Sequence, residues 1–408
     1  MTGSISIVAD APHGLTRCRV CRGSEGDMVG CIPAVPVSLW PTGKPPHPAF
    51  DLELFVCKKC GHLQLQTMTP DFVSRFYEDG SFVEDNSAGH DDRLRAFKDR
   101  FGDDFFIGRT ILDVGGGNNP FVGGIDGAKE RWVSDIAVSD AAAAQADRTV
   151  VGNFITTAFP NVTFDVVTLF HTLEHFAEPD LAVERLADVV CPGGLVLIEV
   201  PNAEDFIRAV PHYGAFHQHQ SYFHRASLDG LMHSFGFDSD HLFREDNVLL
   251  AAYRRRSEAS GVPMEVDLLT GAAIARLRQQ MIKKIDKILR EKLESMQRIA
   301  IYGAGGSTTM FLTLLPWLRE RVVGVFDRDV GKHGRYVPGT GVCVGPPDQA
   351  DSCKADAMLF LSTNLFKSLA HGYKTPAFDV GAILDSVGRE ECVAGLQHVH
   401  VRGKADAG

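Results

Sequence analysis

No stretch of this chain approaches the ~18 consecutive apolar residues that a membrane-spanning helix requires. The first residues, Met1 to Gly14, lack a basic patch followed by an apolar run, so no secretory leader is read there and a cytoplasmic setting is expected. A basic domain is also missing. Arg254-Arg255-Arg256 and the lysines between 283 and 292 are the main positive clusters. With 41 Lys and Arg against 52 Asp and Glu, the net charge of −11 excludes nucleic acid as the expected partner, and a membrane surface with it. No short tandem repeat is visible. Hydrophobic residues make up 44% and charged residues 23%, which excludes a disordered chain, a collagen-like chain and a coiled-coil rod. A chain of 408 residues is long enough for two to three domains with separate cores.

Cysteine is present, nine times, in a chain with no export signal. Four cysteines form two knuckles, Cys18-x-x-Cys21 and Cys57-x-x-Cys60. In a reducing compartment such knuckles read as metal ligands. Four thiolates suit tetrahedral Zn²⁺ and leave no open position, so the site is expected to be structural. Cys31 and His62 are alternative ligands. The stretch from Cys31 to Pro48 holds six prolines and is expected to be loop. Residues 51–56 and 63–66 alternate as short strands.

Four regions follow from composition and periodicity: a small metal-stapled unit at 1–70, a central domain at 71–260, a connector helix at 261–297 and a C-terminal domain at 298–408. Residues 71–105 look helical and polar. Strands are expected at Thr110–Val114, Arg131–Asp135, Phe164–Phe170 and Gly194–Val200, with a helix at Leu181–Val190. This alternation predicts an α/β fold with a parallel sheet. Between 264 and 297, Ile274, Leu277, Met281, Ile285, Ile288 and Met296 recur at three- and four-residue steps, the mark of one long packed helix. A strand at Arg298–Tyr302 opens a second α/β unit.

The first α/β unit carries a glycine-rich turn, Asp113-Val114-Gly115-Gly116-Gly117-Asn118-Asn119, at a strand end. Glycines let backbone approach a ligand closely. Asp135 closes the next strand about twenty residues on, where an acid can hold ribose hydroxyls. A further strand leads into His171-Thr172-Leu173-Glu174-His175. These five residues match the inverted zinc-peptidase motif, but that motif needs a helix, and here a buried strand runs in and Pro179 follows. Four histidines then lie between positions 212 and 224, among them His217 and His219 around Gln218, followed by Tyr222. Histidine moves protons near neutrality. A solvated loop and a metal site are the alternatives for this segment.

In content and order these motifs resemble the class I S-adenosylmethionine-dependent methyltransferases. Over nearly its whole length the chain is similar to the sugar-nucleotide C-methyltransferases. These combine a zinc-binding unit, a class I methyltransferase sheet and a C-terminal Rossmann-like domain. The resemblance implies S-adenosyl-L-methionine and Zn²⁺ as bound groups, with Cys18, Cys21, Cys57 and Cys60 on the metal. It places Asp113, Gly115, Gly117, Asn118, Asp135, Phe154, His171, Glu174 and His175 beside the cofactor. Tyr77, Ser87, His90, Asn202, Gly303 and Gly305 become expected substrate contacts. The implied reaction is methylation of carbon next to the ketone of a nucleotide-linked 4-keto deoxysugar, through an enolate. The family's active-site segment reads Tyr-His-Glu-His-x-x-Tyr-Phe, and its Tyr, Glu and second His are the proposed acid–base groups. Here Phe216 and Gln218 replace the first two, and His219 is retained as the expected base, with His217, Gln218 and Tyr222 around it.

The second turn, Gly303-Ala304-Gly305-Gly306-Ser307-Thr308, with Asp327 ending the next strand, resembles a dinucleotide site except at Thr308. A dehydrogenase domain is one reading. The family resemblance makes it a holder of the sugar nucleotide. Methylation of oxygen or nitrogen, and a silent binding protein, are the other functional readings. The oligomeric state is left open by the sequence.

Overall fold

The computed structural model of the chain describes residues 17–43, 45, 48–65, 89–159, 161–204, 214–256 and 270–395. Sixteen strands form three sheets in these residues.

The central sheet has seven strands in the order β10-β11-β8-β7-β4-β5-β6. These are β4 (Thr110–Val114), β5 (Glu130–Asp135), β6 (Arg148–Val151), β7 (Phe164–Phe170), β8 (Val190–Pro201), β10 (Phe237–Glu245) and β11 (Val248–Arg255). Strands β4 to β8 are parallel, and β11 runs antiparallel between β8 and β10. Side chains alternate across a strand, so the apolar runs fill two cores. Leu112, Val167, Leu169 and Ile198 face one core, and Ile111, Val166, Phe170 and Leu197 face the other. Helices α1 (His90–Phe101), α2 (Asp140–Ala143), α3 (Pro179–Val189) and α4 (Arg225–Ser234) accompany this sheet. The strand order reverses between β4 and β7, and ligands of such sheets bind at the carboxyl ends of the strands beside that reversal. Fold class therefore matches the expectation: mixed α/β with a Rossmann-like methyltransferase sheet.

The C-terminal sheet is wholly parallel, in the order β14-β13-β12-β15-β16. It comprises β12 (Ile299–Tyr302), β13 (Val322–Phe326), β14 (Val344–Gly345), β15 (Ala357–Phe360) and β16 (Ala377–Asp379). Helix α5 (Thr270–Lys292) precedes it, and α6 (Gly306–Leu314), α7 (Pro316–Arg319), α8 (Thr363–Leu369) and α9 (Val380–Gly395) connect and cover it. Helix α5 serves two cores. Ile274 and Ala275 enter the core of the small sheet, while Leu277, Met281, Ile285 and Leu289 enter that of the C-terminal sheet.

The small sheet is antiparallel, in the order β1 (Gly26–Pro36), β2 (Ala49–Cys57), β3 (Leu63–Leu65) and β9 (Ser221–Tyr222). Its last strand comes from the histidine-rich segment. The loop expected from Cys31 is a strand as far as Pro36. As an edge strand β1 leaves proline's missing N–H facing outward, and register shifts at Met28/Gly30 and Ile32/Val35 absorb the misfit. The strand expected from Gly194 begins earlier, at Val190, and Cys191–Gly194 lie within β8 at a register irregularity opposite Phe164 and Val166. No helix among the described residues is long and apolar enough to cross a membrane.

Candidate functional site

The two cysteine knuckles meet. Sγ of Cys18 lies 3.6 Å from that of Cys60, and Sγ of Cys21 lies 3.5 Å from that of Cys57. All four sulfurs fall within 4.8 Å of one another, a donor set that fits one tetrahedral ion. Cys31 is exposed and His62 is buried against Phe223, and neither joins the four. The knuckle is docked on α3, where the buried Asp180 pairs with Arg17 and Arg22.

After β4 the chain turns through Gly115 at φ +87°, where a Cβ would strike Thr172 Oγ1 at 2.2 Å. At Gly117 a Cβ would lie 2.3 Å from the Ala137 carbonyl oxygen. Asp113 braces the turn from within: its carboxylate accepts from the Phe121 N–H at 2.7 Å and the Thr168 hydroxyl at 2.6 Å. Burial raises its pKa to about 6, against the pull of those two bonds. Asp135 reaches from β5 to accept from the N–H of Gly117 at 2.9 Å, and burial raises its pKa too. Asn118 is half-buried in the same turn. Phe154 is buried among Phe159 and Phe176. His90 stands edge-on to Phe121, 5.6 Å between centroids.

The β7 strand ends at the same edge. His171 sits at φ +51°, in the left-handed region uncommon for a non-glycine residue. It is held by two carboxylates: Nε2 donates to Glu199 at 2.9 Å, and Nδ1 lies 3.5 Å from Glu174. Burial alone would lower its pKa, but the two carboxylates outweigh burial and raise it to about 9. Glu199 is itself gripped by buried Arg93, at 3.0 and 2.6 Å. Burial opposes ionisation of Glu199, yet His171 and Arg93 bring its pKa down to about 2. Residues 173–175 form a single 3₁₀ turn, so the peptidase reading, which needs a helix, is not met. Both oxygens of the buried Glu174 make no hydrogen bond among the described residues. His175 donates from Nδ1 to the Gln218 carbonyl at 3.0 Å.

That bond brings in the histidine-rich segment. His219 is 7% exposed, with its ring 4.9 Å from that of His175 and 4.1 Å from Phe216. Burial, with His175 and His171 nearby, keeps its pKa well below the usual histidine value, so it is a neutral imidazole. His217 donates from Nε2 to the Val35 carbonyl at 3.0 Å, and Gln218 Nε2 donates to that of Val37 at 3.1 Å. The Tyr222 hydroxyl accepts from the Phe216 N–H at 3.1 Å, and burial raises its pKa. The structure thus puts His219 against the β7 turn and ties His217, Gln218 and Tyr222 to backbone.

Asn202, at the end of β8, is buried and accepts from the Glu204 N–H at 3.1 Å. The second glycine turn has open space where a Cβ at Gly303 or Gly305 would project. Asp327 is filled by its own loop: it accepts from the N–H groups of Ala304 and Asp329 and pairs with Lys332 at 3.0 Å. Tyr77 and Ser87 lie outside the described residues. Sequence reasoning missed Arg93, Glu199 and Arg19. Glu199 was visible as the one charged residue in an otherwise apolar strand run.

Residues 88–242 match the family model of a methyltransferase domain, and residues 271–379 match that of a C-methyltransferase C-terminal domain. No curated protein matches the chain. Among solved structures it is similar to an O-methyltransferase family protein from Burkholderia thailandensis (18% identity, 42% of this chain and 60% of that one, TM-score 0.33). It is also similar to the N-methyltransferase NodS from Bradyrhizobium japonicum, solved with S-adenosyl-L-homocysteine (13%, 45% and 98%, 0.32). A third is the 1,6-didemethyltoxoflavin-N1-methyltransferase of B. thailandensis, solved with bound 1,6-didemethyltoxoflavin and S-adenosylhomocysteine (18%, 48% and 96%, 0.35). The two family models cover separate stretches, each under half of the chain, and with the Rossmann-like fold they carry the assignment: the chain is an S-adenosylmethionine-dependent methyltransferase, and its residues 271–379 match a C-methyltransferase C-terminal domain.

Proposed function

We propose that this enzyme methylates carbon beside the ketone of a nucleotide-linked 4-keto deoxysugar. The observation that carries this reading is the pairing, in one chain, of a methyltransferase domain with a C-methyltransferase C-terminal domain. Bound S-adenosylmethionine supplies a methyl group on a positively charged sulfur. Glu174 is the carboxylate offered to that charge: its buried oxygens have no hydrogen-bond partner among the described residues, with His171 at 3.5 Å and His175 at 3.9 Å as ionic neighbours, and it follows two residues after Thr172, which packs against Gly115. His219, neutral and buried, accepts the proton from the carbon next to the ketone, leaving the electron pair on the enolate. Its place between Phe216 and His175 orients the ring and excludes water. The four cysteines hold Zn²⁺ as a structural ion that fixes the small sheet and with it β9.

A second reading, methyl transfer to oxygen or nitrogen of a related substrate, is favoured by Phe216 and Gln218, which offer neither the hydroxyl nor the carboxylate of an enolate-handling set. One experiment separates them. Zinc-loaded enzyme is incubated with methyl-labelled cofactor and a panel of nucleotide-linked 4-keto sugars in heavy water. Product NMR showing a new carbon–carbon bond, with deuterium exchange beside the ketone, supports the first reading. A methyl on oxygen or nitrogen without exchange establishes the second.

A further inference from the structure

Helix α5 lays one face on the small sheet. Gly271 is so close to the residue that follows the second pair of cysteines that a Cβ there would lie 2.1 Å from the Gly61 carbonyl oxygen. Ile274 and Ala275 continue this stripe into the apolar cluster that holds Tyr222. Helical spacing puts position 278 on the same stripe, where an apolar residue is expected. The residue is Arg278. It is 4% exposed, and its Nε and Nη2 are buried without a hydrogen-bond partner among the described residues. The group acting on it is Tyr222, and burial draws its pKa down to about 10. At neutral pH it stays charged.

Arg19 also acts electrostatically on Tyr222 but is spoken for. Its Nη1 donates to the Leu65 carbonyl at 2.7 Å and its Nη2 to Gln220 at 2.9 Å. Among the described residues, Nε and Nη2 of Arg278 have no such engagement. A buried guanidinium without a counter-ion is costly to a fold, and among the described residues no carboxylate pairs with Arg278, so an anion that did so would relieve that cost. Tyr222 links this cation to the reacting end of the site, its ring 6.3 Å from that of His219. A guanidinium fork matches phosphate oxygens in two parallel bonds.

We propose that Arg278 is the anion anchor of the substrate site, receiving the diphosphate of the nucleotide-linked substrate where helix α5, strand β9 and the His219 segment meet. This rests on the substrate class proposed above. The test uses the full-length, zinc-loaded protein and calorimetric titration with UDP, dTDP, GDP and inorganic pyrophosphate, with S-adenosylhomocysteine titrated separately. Wild type is expected to bind at least one nucleoside diphosphate. Arg278→Met should weaken that binding roughly 10- to 100-fold, as loss of a charged hydrogen-bond pair does. Binding of S-adenosylhomocysteine should be unchanged. Arg278→Lys keeps the charge without the fork and should recover part of the loss. The ligand-free Met variant should also melt higher than wild type, because an uncompensated buried charge is gone.

Nucleotide binding by Arg278→Met equal to wild type overturns the anchor and leaves the substrate class standing. A lower melting temperature with unchanged nucleotide binding makes Arg278 a structural cation and also overturns it. If wild type binds no nucleoside diphosphate, the substrate class fails. Pyrophosphate then decides: protection of wild type that Arg278→Met loses supports an anion site of another source, and equal behaviour overturns it. Should the Met variant fail to bind S-adenosylhomocysteine, the Lys variant carries the comparison, with unaltered nucleotide affinity counting against the anchor.

Discussion

Arg19, inside the first cysteine knuckle, donates to the side-chain oxygen of Gln220 at 2.9 Å, across 201 positions of sequence. Gln220 in turn donates its backbone N–H to the Glu174 carbonyl at 2.8 Å and its side-chain amide to the His217 carbonyl. The metal-ligand unit is thereby joined by hydrogen bonds to the two segments that form the site.

With the four cysteines on Zn²⁺ as proposed, removal of the metal should cost activity as well as stability. Chelation of the zinc-loaded enzyme is expected to lower its Tm and abolish methyl transfer, with recovery on adding Zn²⁺. Gln220→Ala, which keeps the cysteines, should lower kcat while metal content, measured by elemental analysis, stays at one ion per chain. Full activity in that variant would show that the link positions nothing.

His219→Ala should reduce kcat by about 10²- to 10⁴-fold, the range for loss of a general base, with S-adenosylhomocysteine affinity preserved. His217→Ala should act differently. It removes a bond to the Val35 carbonyl and should lower Tm more than it lowers kcat at permissive temperature. Equal losses of kcat in the two variants would contradict the assignment of His219.

His171 makes stability pH-dependent on the alkaline side. Its folded pKa is raised to about 9 by Glu174 and Glu199. Its contribution is fully present below the ordinary histidine value near 6.5 and is lost as pH rises through about 9. Tm should fall between pH 7 and pH 10, and His171→Gln should flatten that fall. Glu199 is depressed to about 2, so its contribution is lost only as pH drops from the usual carboxylate range through 2. Glu199→Gln leaves Arg93 buried without its carboxylate and should destabilise the fold by about 3–5 kcal/mol in urea titrations.

Gly115→Ala combines a left-handed backbone with a clash on Thr172. Strain and overpacking of this kind cost roughly 1–3 kcal/mol. The turn is expected to open instead, so S-adenosylhomocysteine affinity should fall at least tenfold in calorimetry. Gly193→Ala, also at positive φ but with open space around its Cβ, is the control and should leave that affinity unchanged.

Much of this protein was determined by its sequence alone. Apolar runs such as Thr110–Val114 and Phe164–Phe170 define buried strands, because a parallel sheet covered on both faces asks for continuous hydrophobicity. Paired cysteines and clustered glycines are local patterns, each readable within a few residues. Tertiary structure decided what depends on distant partners. β1, with Pro33 and Pro36, is a strand because its neighbour β2 supplies hydrogen bonds on one side, and among the described residues the other side has no ladder partner. β9 is two residues long, too short to carry a periodic signal, and exists by pairing with β3. The pairing of Arg93 with Glu199 and the burial of Arg278 were also decided there. A charge inside a core announces itself in the sequence only as an exception, and what satisfies it depends on which segments the fold brings alongside.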